Sequence, residues 1–213
     1  MNPQKGEFDP AELSFFESLQ TLIDVSAKSS PPRTLSTICG VDAAYPSSGN
    51  RAVAVASLLS ARDGRVLESF SHVGHFTYPY FPGLFYLHEG PSAVAAVEGL
   101  KQRPDLVCFD AHGRSHPRRA GLATLCGKIL EIPSIGLAKS RLVGEAVPYK
   151  EGVERIVDRG EQIGYLTRCR SKKKYWSQGY AITMKELRRI ISLYGEICVR
   201  SVEIADEMAR AQI

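Results

Sequence analysis

Residues 37–77 read TICGVDAAYPSSGNRAVAVASLLSARDGRVLESFSHVGHFT and decide the fold class of this chain. The stretch contains three strand-like segments, at Thr37–Ala44, Arg51–Ser60 and 65–77. Between the last two segments, Asp63-Gly64 is a turn signal typical of a hairpin. Consecutive strands with such short connections predict an antiparallel meander of three strands.

Outside this stretch the pattern is mainly helical, with further strands. Upstream, Asp9 and Glu12 form a capping box around Pro10, which predicts a helix start. Downstream we predict helices over 91–101, 115–131, 183–193 and 199–211, buried strands over 106–109 and 133–137, and hairpins within 142–183. A meander followed by β-α units predicts an α/β fold, with one mixed sheet flanked by helices. Without linkers or repeats, the 213 residues indicate a single domain.

Composition excludes several classes of protein. Hydrophobic residues make up 44% and charged residues 23%, which are globular values and exclude a disordered or fibrous chain. No apolar run approaches the roughly 20 residues of a membrane span, and residues 1–10 lack the pattern of a signal peptide. The five cysteines include no closely spaced pair, so neither disulfides nor structural zinc is indicated. We expect a cytoplasmic protein with no membrane partner.

The net charge of +4 is only mildly basic, but the positive residues are grouped. Arg114, Arg118 and Arg119 form one group, and residues 168–176 hold five basic side chains together with Tyr175 and Trp176. Such patches favour a polyanionic partner such as nucleic acid. A merely solvated surface is the alternative for either patch.

Polar residues interrupt or follow the predicted buried strands. Asp42 lies within an apolar strand, Asp110 follows the strand at 106–109, and Lys139 follows the next one. Because sites gather at the carboxyl ends of neighbouring strands, Asp42 and Asp110 are candidates for one site, with Glu89 as a third carboxylate. Close carboxylates need a cation, and oxygen ligands suit Mg²⁺ or Mn²⁺. The residues therefore indicate a metal-dependent phosphodiesterase, although each also has an ordinary explanation as a turn residue, cap or surface charge.

Five ordered blocks of sequence resemble those of the endonuclease V family. They are GVDAAY at 40–45, PYFPG at 79–83 followed by Glu89, PDLVCFDAHG at 104–113, SHPRRAGLA at 115–123 and IPSIGLAKSRL at 132–142. The resemblance places the core motifs of a single endonuclease V-like domain in residues 38–144. It implies a ribonuclease H-like fold, in agreement with the predicted order of strands and helices.

The resemblance also implies an activity and a set of site residues. Family members recognise inosine, the product of adenine deamination, in DNA or RNA, and cut the second phosphodiester on its 3′ side, leaving a 3′-hydroxyl and a 5′-phosphate. The cofactor would be Mg²⁺, with Mn²⁺ as a substitute, and the enzyme would act as a monomer in DNA repair. The metal ligands would be Asp42, Glu89 and Asp110, and the catalytic set would add Lys139 and His116. The substrate-binding residues would be Tyr80 as an aromatic wedge, Pro82, Gly83, Gly113, Gly121, Leu122 and Arg118.

The chain departs from the family pattern at three positions. His88 stands where a longer basic residue is frequent, Ala111 where glycine is usual, and Leu125 where histidine is frequent. These departures bear on substrate preference and leave the proposed catalytic set intact. Asp206 is either a fourth acidic group near the metal or a plain surface carboxylate. Two other functions stay open: a module that binds inosine-containing strands without cutting, and another ribonuclease H-like nuclease.

Overall fold

The computed structural model describes residues 8–23, 31–46, 50–76, 78, 80–150, 152–169 and 172–213. The strands of these residues form one mixed sheet in the order β3-β2-β1-β4-β5-β9-β8-β7-β6. Their bounds are β1 Thr37–Ala44, β2 Arg51–Ser60, β3 Val66–His75, β4 Leu106–Phe109, β5 Ser134–Ala138, β6 Glu145–Lys150, β7 Val153–Asp158, β8 Glu161–Cys169 and β9 Lys172–Gln178. The central strands β1, β4 and β5 therefore lie side by side.

The predicted meander and the predicted mixed sheet are both confirmed. β1 pairs with β2, and β2 with β3, in antiparallel register, whereas β1–β4 and β4–β5 are parallel pairs. Val41 lies opposite Phe109 in the parallel pair. The next residues along the two strands, Asp42 and Asp110, therefore occupy matching positions at the same edge of the sheet.

Helices cover both faces of the sheet, so the central strands are buried on both sides. The described helices are α1 Pro10–Leu22, α2 Phe85–Glu98, α3 Leu122–Leu130 and α4 Met184–Arg210. Cys39 and Val41 of β1 pack in the core shared with α2 and α3, whereas Ile38 packs in the core shared with α4. This alternation follows from the period of two in a strand.

Gly40 explains how α4 approaches β1 so closely. A Cβ atom at this position would overlap the backbone carbonyl of Ser201 in α4. Since glycine has no Cβ, the helix backbone lies directly against the strand. The contact lies two residues before Asp42, so α4 passes close to the edge of the sheet where Asp42 and Asp110 meet.

Two predicted helix starts were wrong. Helix α2 begins at Phe85 rather than at residue 91, so Glu89 lies inside the helix and Pro91 in its interior. A proline favours the first position of a helix, but here burial of Glu89 and its neighbours outweighs the lost hydrogen bond. Helix α3 begins at Leu122 rather than at residue 115, because Arg119 has a φ of 56° and cannot continue a right-handed helix.

The two predicted C-terminal helices are a single helix, α4. A buried stripe continues through Leu187, Ile190, Cys198 and Val202, where a break was expected. Gly195 lies within this segment with its α-carbon facing the Trp176 ring, and a glycine costs a helix only about 1 kcal/mol. Continuous burial of the stripe is therefore sufficient to keep the helix intact.

The cysteines and helices of the described residues bear on the expectations for disulfides and membrane spans. All five cysteines fall within that part of the chain and are free thiols. No helix in the described ranges is both long enough and apolar enough to cross a membrane.

Candidate active site

Three of the predicted site residues meet at the edge of the central strands. Asp42 lies near the end of β1, Asp110 follows β4 directly, and Lys139 follows β5 directly. The strand pairing continues past β4, where the Asp110 N–H donates to the Val41 carbonyl at 3.0 Å. Lys139 Nζ contacts Asp110 Oδ2 and lies 3.8 Å from Asp42 Oδ2. One ammonium group thus bridges the two carboxylates.

The carboxyl group of Asp42 is incompletely satisfied. Its Oδ1 accepts a hydrogen bond from the Ala43 N–H at 2.8 Å, but Oδ2 is buried and accepts none. Burial and the negative charge of Asp110 raise the pKa of Asp42 to about 9, although the charge of Lys139 acts in the opposite direction. A carboxyl in this state is stabilised in its ionised form by any additional cation.

Glu89 is buried in α2, and its Oε1 accepts a hydrogen bond from the hydroxyl of Tyr45. Burial raises the pKa of Glu89 to about 8, while the Tyr45 hydrogen bond works against that increase. Burial and the nearby Glu89 carboxylate likewise raise the pKa of Tyr45. This contact of Tyr45 was not predicted, because the residue's only sequence signal is its position at the end of the GVDAAY block, three residues after Asp42.

Asp206 of α4 lines the same cavity as Lys139, which contacts Asp110 and lies near Asp42, and a role of Asp206 near a metal stays a prediction. Burial opposes ionisation of Asp206, but the hydrogen bond from Arg210 and the charges of Lys139 and Arg210 lower its pKa. Arg210 Nε lies 2.8 Å from Asp206 Oδ1. We refer to Asp42, Glu89, Asp110 and Asp206, together with Lys139, as the carboxylate cluster.

The chemistry of the carboxylate cluster fits a divalent cation. Its acidic members offer only carboxylate oxygens, which Mg²⁺ and Mn²⁺ prefer, and the buried Oδ2 of Asp42 is free to accept one. Within the described ranges, no three metal-ligating side chains already surround one point, since Glu89 is directed to Tyr45. Burial opposes the charge on Lys139, but Asp110 and Asp42 raise its pKa, so the lysine supplies positive charge there.

The residues expected to bind the substrate differ in their solvent exposure. Tyr80 and Pro82 are exposed in the loop before α2, where Gly83 has a φ of 86°. Pro79, the first residue of that motif, lies outside the described residues. Leu122, in contrast, is buried in the core between the sheet, α2 and α3. The side chain of Leu122 is therefore part of the core, whereas Tyr80 and Pro82 are accessible from solvent.

Gly113 and Gly121 are buried where the loop between β4 and α3 folds against its surroundings. A Cβ at Gly113 would overlap the carbonyl oxygen of Gln178, and one at Gly121 would overlap that of His112. The Gly121 N–H donates to the Gly113 carbonyl at 3.0 Å. Close backbone packing thus accounts for both glycines, and their contact with a base stays a prediction.

Arg118 is fully engaged inside the protein. Its Nε donates to Gln20 Oε1 at 2.6 Å, Nη1 to Glu17 Oε1 at 2.8 Å and Nη2 to the Gly83 carbonyl at 2.9 Å. Its backbone N–H lies 3.2 Å from Nδ1 of His116. Burial and the charge of Arg118 lower the pKa of His116 to about 4, which makes the imidazole neutral. These contacts tie the loop to α1, and a contact of either residue with substrate stays a prediction.

The neighbouring Arg119 is equally engaged. Its guanidinium lies 2.8 Å from Asp158 Oδ2 and 2.9 Å from Glu161 Oε2. Arg114 lies 3.4 Å from Glu161 Oε1. The first predicted basic group is therefore neutralised by contacts within the chain.

The second basic group keeps most of its charge exposed. The exposed members are Arg168, Lys172 and Lys173. Lys174 is buried, and its Nζ lies 3.6 Å from Glu203 Oε1. Arg170 lies outside the described residues. This patch adjoins the carboxylate cluster, because β9 pairs with β5 next to Lys139.

The three positions that depart from the family pattern are all buried. His88 Nδ1 lies 2.8 Å from the Tyr78 carbonyl oxygen, and the ring is 4.2 Å from that of Phe76. His88 and Leu125 line the same cavity of about 380 Å³ between α2 and α3. Ala111 is buried directly after Asp110.

A sheet with an antiparallel meander and a parallel centre places acidic residues from two adjacent central strands beside one lysine. This combination of fold and site defines a nuclease of the ribonuclease H-like class, in which clustered carboxylates serve phosphodiester hydrolysis.

Comparison with known proteins narrows the class to one family. The family model for Endonuclease V matches residues 17–199. Over 183 residues the chain is 38% identical to the endonuclease V of Methanothrix thermoacetophila, which covers 83% of this chain and 78% of that protein. The chain belongs to the endonuclease V family, which confirms the resemblance, and it is a nuclease and therefore a hydrolase.

Solved structures agree with this assignment. The crystal structure of endonuclease V from Streptomyces avermitilis matches with a TM-score of 0.83 at 25% identity, covering 97% of this chain and 93% of that one. A Ciona intestinalis endonuclease V in complex with a 24mer DNA containing an inosine followed by a ribo-adenosine matches with a TM-score of 0.79 at 19% identity, covering 95% of both chains. The Ciona intestinalis structure shows that this chain and that protein share the same fold.

Proposed function

We propose that this chain cuts nucleic acid strands that contain inosine, with a divalent cation held by Asp42, Glu89 and Asp110. The observation that carries the proposal is the carboxylate cluster, in which a buried oxygen of Asp42 has no hydrogen-bond donor. The relative from Ciona intestinalis, whose bound DNA contains inosine, supports the choice of substrate. The proposed ion is Mg²⁺, with Mn²⁺ as a substitute.

The residues of the cluster have separate proposed roles. A bound divalent cation would neutralise the carboxylates, acidify water and stabilise negative charge on the phosphate. The ammonium group of Lys139 lies between Asp42 and Asp110, where it would meet the scissile phosphate or orient the attacking water. Tyr45 is a positioning residue, because its hydroxyl fixes the Glu89 carboxylate by a hydrogen bond.

Lesion recognition is proposed for the loops beside α2 and α3. A base must leave the duplex to be inspected, at a cost of a few kcal/mol. The exposed ring of Tyr80 would stack in the gap and offset that cost, with Pro82 and Gly83 beside it. The expected pocket of Gly83, Gly113, Gly121 and Leu122 would hold the extruded base, and His116 would contribute near that pocket or the phosphate.

The proposed cut is at the second phosphodiester on the 3′ side of inosine, leaving a 3′-hydroxyl and a 5′-phosphate. The proposed acting unit is a monomer with one endonuclease V-like domain, since one sheet of one chain carries Asp42, Asp110 and Lys139. DNA repair in the cytoplasm is the proposed setting, and RNA containing inosine is a second proposed substrate.

End-labelled strands test the proposal directly. We would compare deoxyinosine DNA, inosine RNA and matched undamaged strands, each with Mg²⁺, with Mn²⁺ and with a chelator. The expected result is a metal-dependent cut one nucleotide beyond inosine, with undamaged strands intact. Asp110→Asn should abolish the cut, whereas Asp63→Asn, a control in the exposed turn between β2 and β3, should not.

Other outcomes would favour the other hypotheses. Binding of inosine strands without cutting under any metal condition would indicate a binding module. Equal cutting of inosine and undamaged strands would indicate a ribonuclease H-like nuclease with another specificity.

A further inference from the structure

Tyr149, near the end of β6, is surrounded by cationic side chains. Its ring centroid lies 5.1 Å from Arg155 Cζ, 5.5 Å from Arg188 Cζ and 5.7 Å from Lys150 Nζ. Arg188 Nη1 also donates to the Tyr149 hydroxyl at 3.1 Å. An aromatic ring attracts cations to its face, so one tyrosine gathers residues from β6, β7 and α4. We call these four residues the Tyr149 cluster.

The charge of the Tyr149 cluster is not neutralised within the described part of the chain. The ion pairs of that part include none with Lys150, Arg155 or Arg188. The Nε of Arg155 is buried without a hydrogen-bond partner. Like charges held this close repel, and a partly desolvated guanidinium without an acceptor adds to the cost. A bound anion would reduce both the repulsion between the cations and the cost of the unpaired guanidinium nitrogen.

The Tyr149 cluster lies at the same edge of the sheet as the carboxylate cluster. Strand pairing leads across the sheet from Ala138 of β5 through Tyr175, Leu166 and Glu154 to Pro148 of β6. Tyr149 follows Pro148 just as Lys139 follows Ala138, so the two residues are level. Four strand spacings separate β5 from β6, or about 19 Å. That distance is about six base pairs of duplex.

Exposed positive residues occupy the interval between the two clusters. Arg168 lies near the end of β8, and Lys172 and Lys173 begin β9, at this same edge. Among the described residues, Arg168 has one ionic contact, at 3.9 Å from Glu154. A row of positive charge therefore leads from Lys139 to Tyr149.

We infer that the Tyr149 cluster binds the phosphodiester backbone of the nucleic acid about six base pairs from the scissile bond. The inference rests on the proposed function only for the identity of the polyanion. Backbone contacts of this kind add affinity without reading sequence. The Tyr149 cluster therefore increases the affinity for any duplex and does not contribute to specificity for the lesion.

Salt dependence of binding tests this inference. The probes are an undamaged duplex of about 30 base pairs and the same duplex with one deoxyinosine, both followed by fluorescence anisotropy in chelator. Each lost phosphate contact lowers the slope of log K against log salt by about 0.9, or about eightfold in affinity at 0.1 M salt. The triple variant Lys150→Gln/Arg155→Gln/Arg188→Gln should lose two to three contacts on both probes alike.

Two matched variants control for charge and for fold. Arg62→Gln removes one exposed charge in the turn between β2 and β3, at the opposite edge of the sheet, and should leave the slope unchanged. Arg188→Lys keeps the charge and should keep most of the slope. Thermal unfolding of every variant verifies that the chain is folded.

Duplex length gives a second, independent readout. Shortening one flank of the inosine to about three base pairs should weaken wild-type binding on the side that reaches the Tyr149 cluster. The triple variant should be indifferent to the same truncation. An unchanged salt slope, or a loss confined to the inosine duplex, would overturn the inference. If the slope falls as stated but inosine strands are not cut, the proposed function fails and this surface stands.

Discussion

The arginines at 118 and 119 and the carboxylate cluster are both dense in charge, but the fold treats them in opposite ways. Arg118 donates to Glu17, Gln20 and the Gly83 carbonyl, so each nitrogen of its guanidinium has an acceptor. Asp42 keeps a buried oxygen with no donor. A charge that the fold satisfies holds the fold together, whereas a charge left unsatisfied is available to a ligand.

The pKa values express the same difference. Burial opposes the charge of Arg119, but Asp158 and Glu161 raise its pKa, so the folded state favours the ion. For Asp42, burial and the charge of Asp110 raise the pKa to about 9, so the folded state disfavours the ion. The first arrangement contributes to stability, and the second reduces it until a cation is bound.

Replacing Asp42 by asparagine should give the largest effect on activity. The same change should increase thermal stability, so it separates the two properties. We expect cutting of an inosine strand with Mg²⁺ to fall by about a thousandfold or more in single-turnover assays. The unfolding temperature without metal should rise by about 2 to 4 °C, since the amide removes a buried carboxyl that Asp110 repels. Asp63→Asn should produce neither change. A lower unfolding temperature for Asp42→Asn would show that the fold already satisfies the cluster.

Arg118→Met should cost stability rather than affinity. The change leaves the buried Gln20 carbonyl oxygen and the Gly83 carbonyl without their donor, a loss of about 3 kcal/mol in urea unfolding. Affinity for an undamaged duplex should change little. Arg114→Met is the matched control, because its one ion pair is long and partly exposed and should cost less than about 0.5 kcal/mol. Weaker binding with intact stability would instead assign Arg118 to the substrate site.

The smallest expected effect is a loss of folding stability at acidic pH that is caused by His116. Burial and the charge of Arg118 lower its pKa to about 4, whereas the unfolded chain titrates near about 6.5. As pH falls through that interval the unfolded state takes up the proton first. The contribution to stability is therefore complete above about pH 6.5 and is lost progressively towards pH 4.

Urea unfolding of wild type and His116→Gln measures this effect. Wild type should lose on the order of 2 kcal/mol more than the variant between about pH 7.5 and about pH 5. The pKa of His112 is also lowered, mainly by burial, but that residue is present in both proteins. Identical pH profiles would show that His116 titrates normally in the folded chain.

Local signals were sufficient for much of the fold. The capping box of Asp9 and Glu12 begins α1, and β1 and β2 have the predicted bounds, because capping and strand alternation are set by adjacent residues. The starts of α2 and α3 were wrong because each was assigned from a single proline. Whether a proline begins a helix or lies within or before one depends on burial against other elements, which sequence alone does not show.

The candidate site was predictable where it follows from strand order. The meeting of Asp42 and Asp110 required only that two buried strands be parallel neighbours. The side-chain partners of Arg118, Gln20 and Glu17, lie on α1, about a hundred residues earlier in the chain, and Tyr149 meets Arg188 across 39 residues. Such contacts depend on how distant elements pack, so no local pattern indicated that one basic group is neutralised and another is not.

The long helix α4 has a consequence for the geometry of the substrate. It carries Arg188 of the Tyr149 cluster in its first turns and Asp206 of the carboxylate cluster near its end. A continuous helix is stiff, whereas two helices joined by a hinge would let their ends move independently. The single helix would therefore hold the Tyr149 cluster and the proposed site of cutting at a fixed distance from each other.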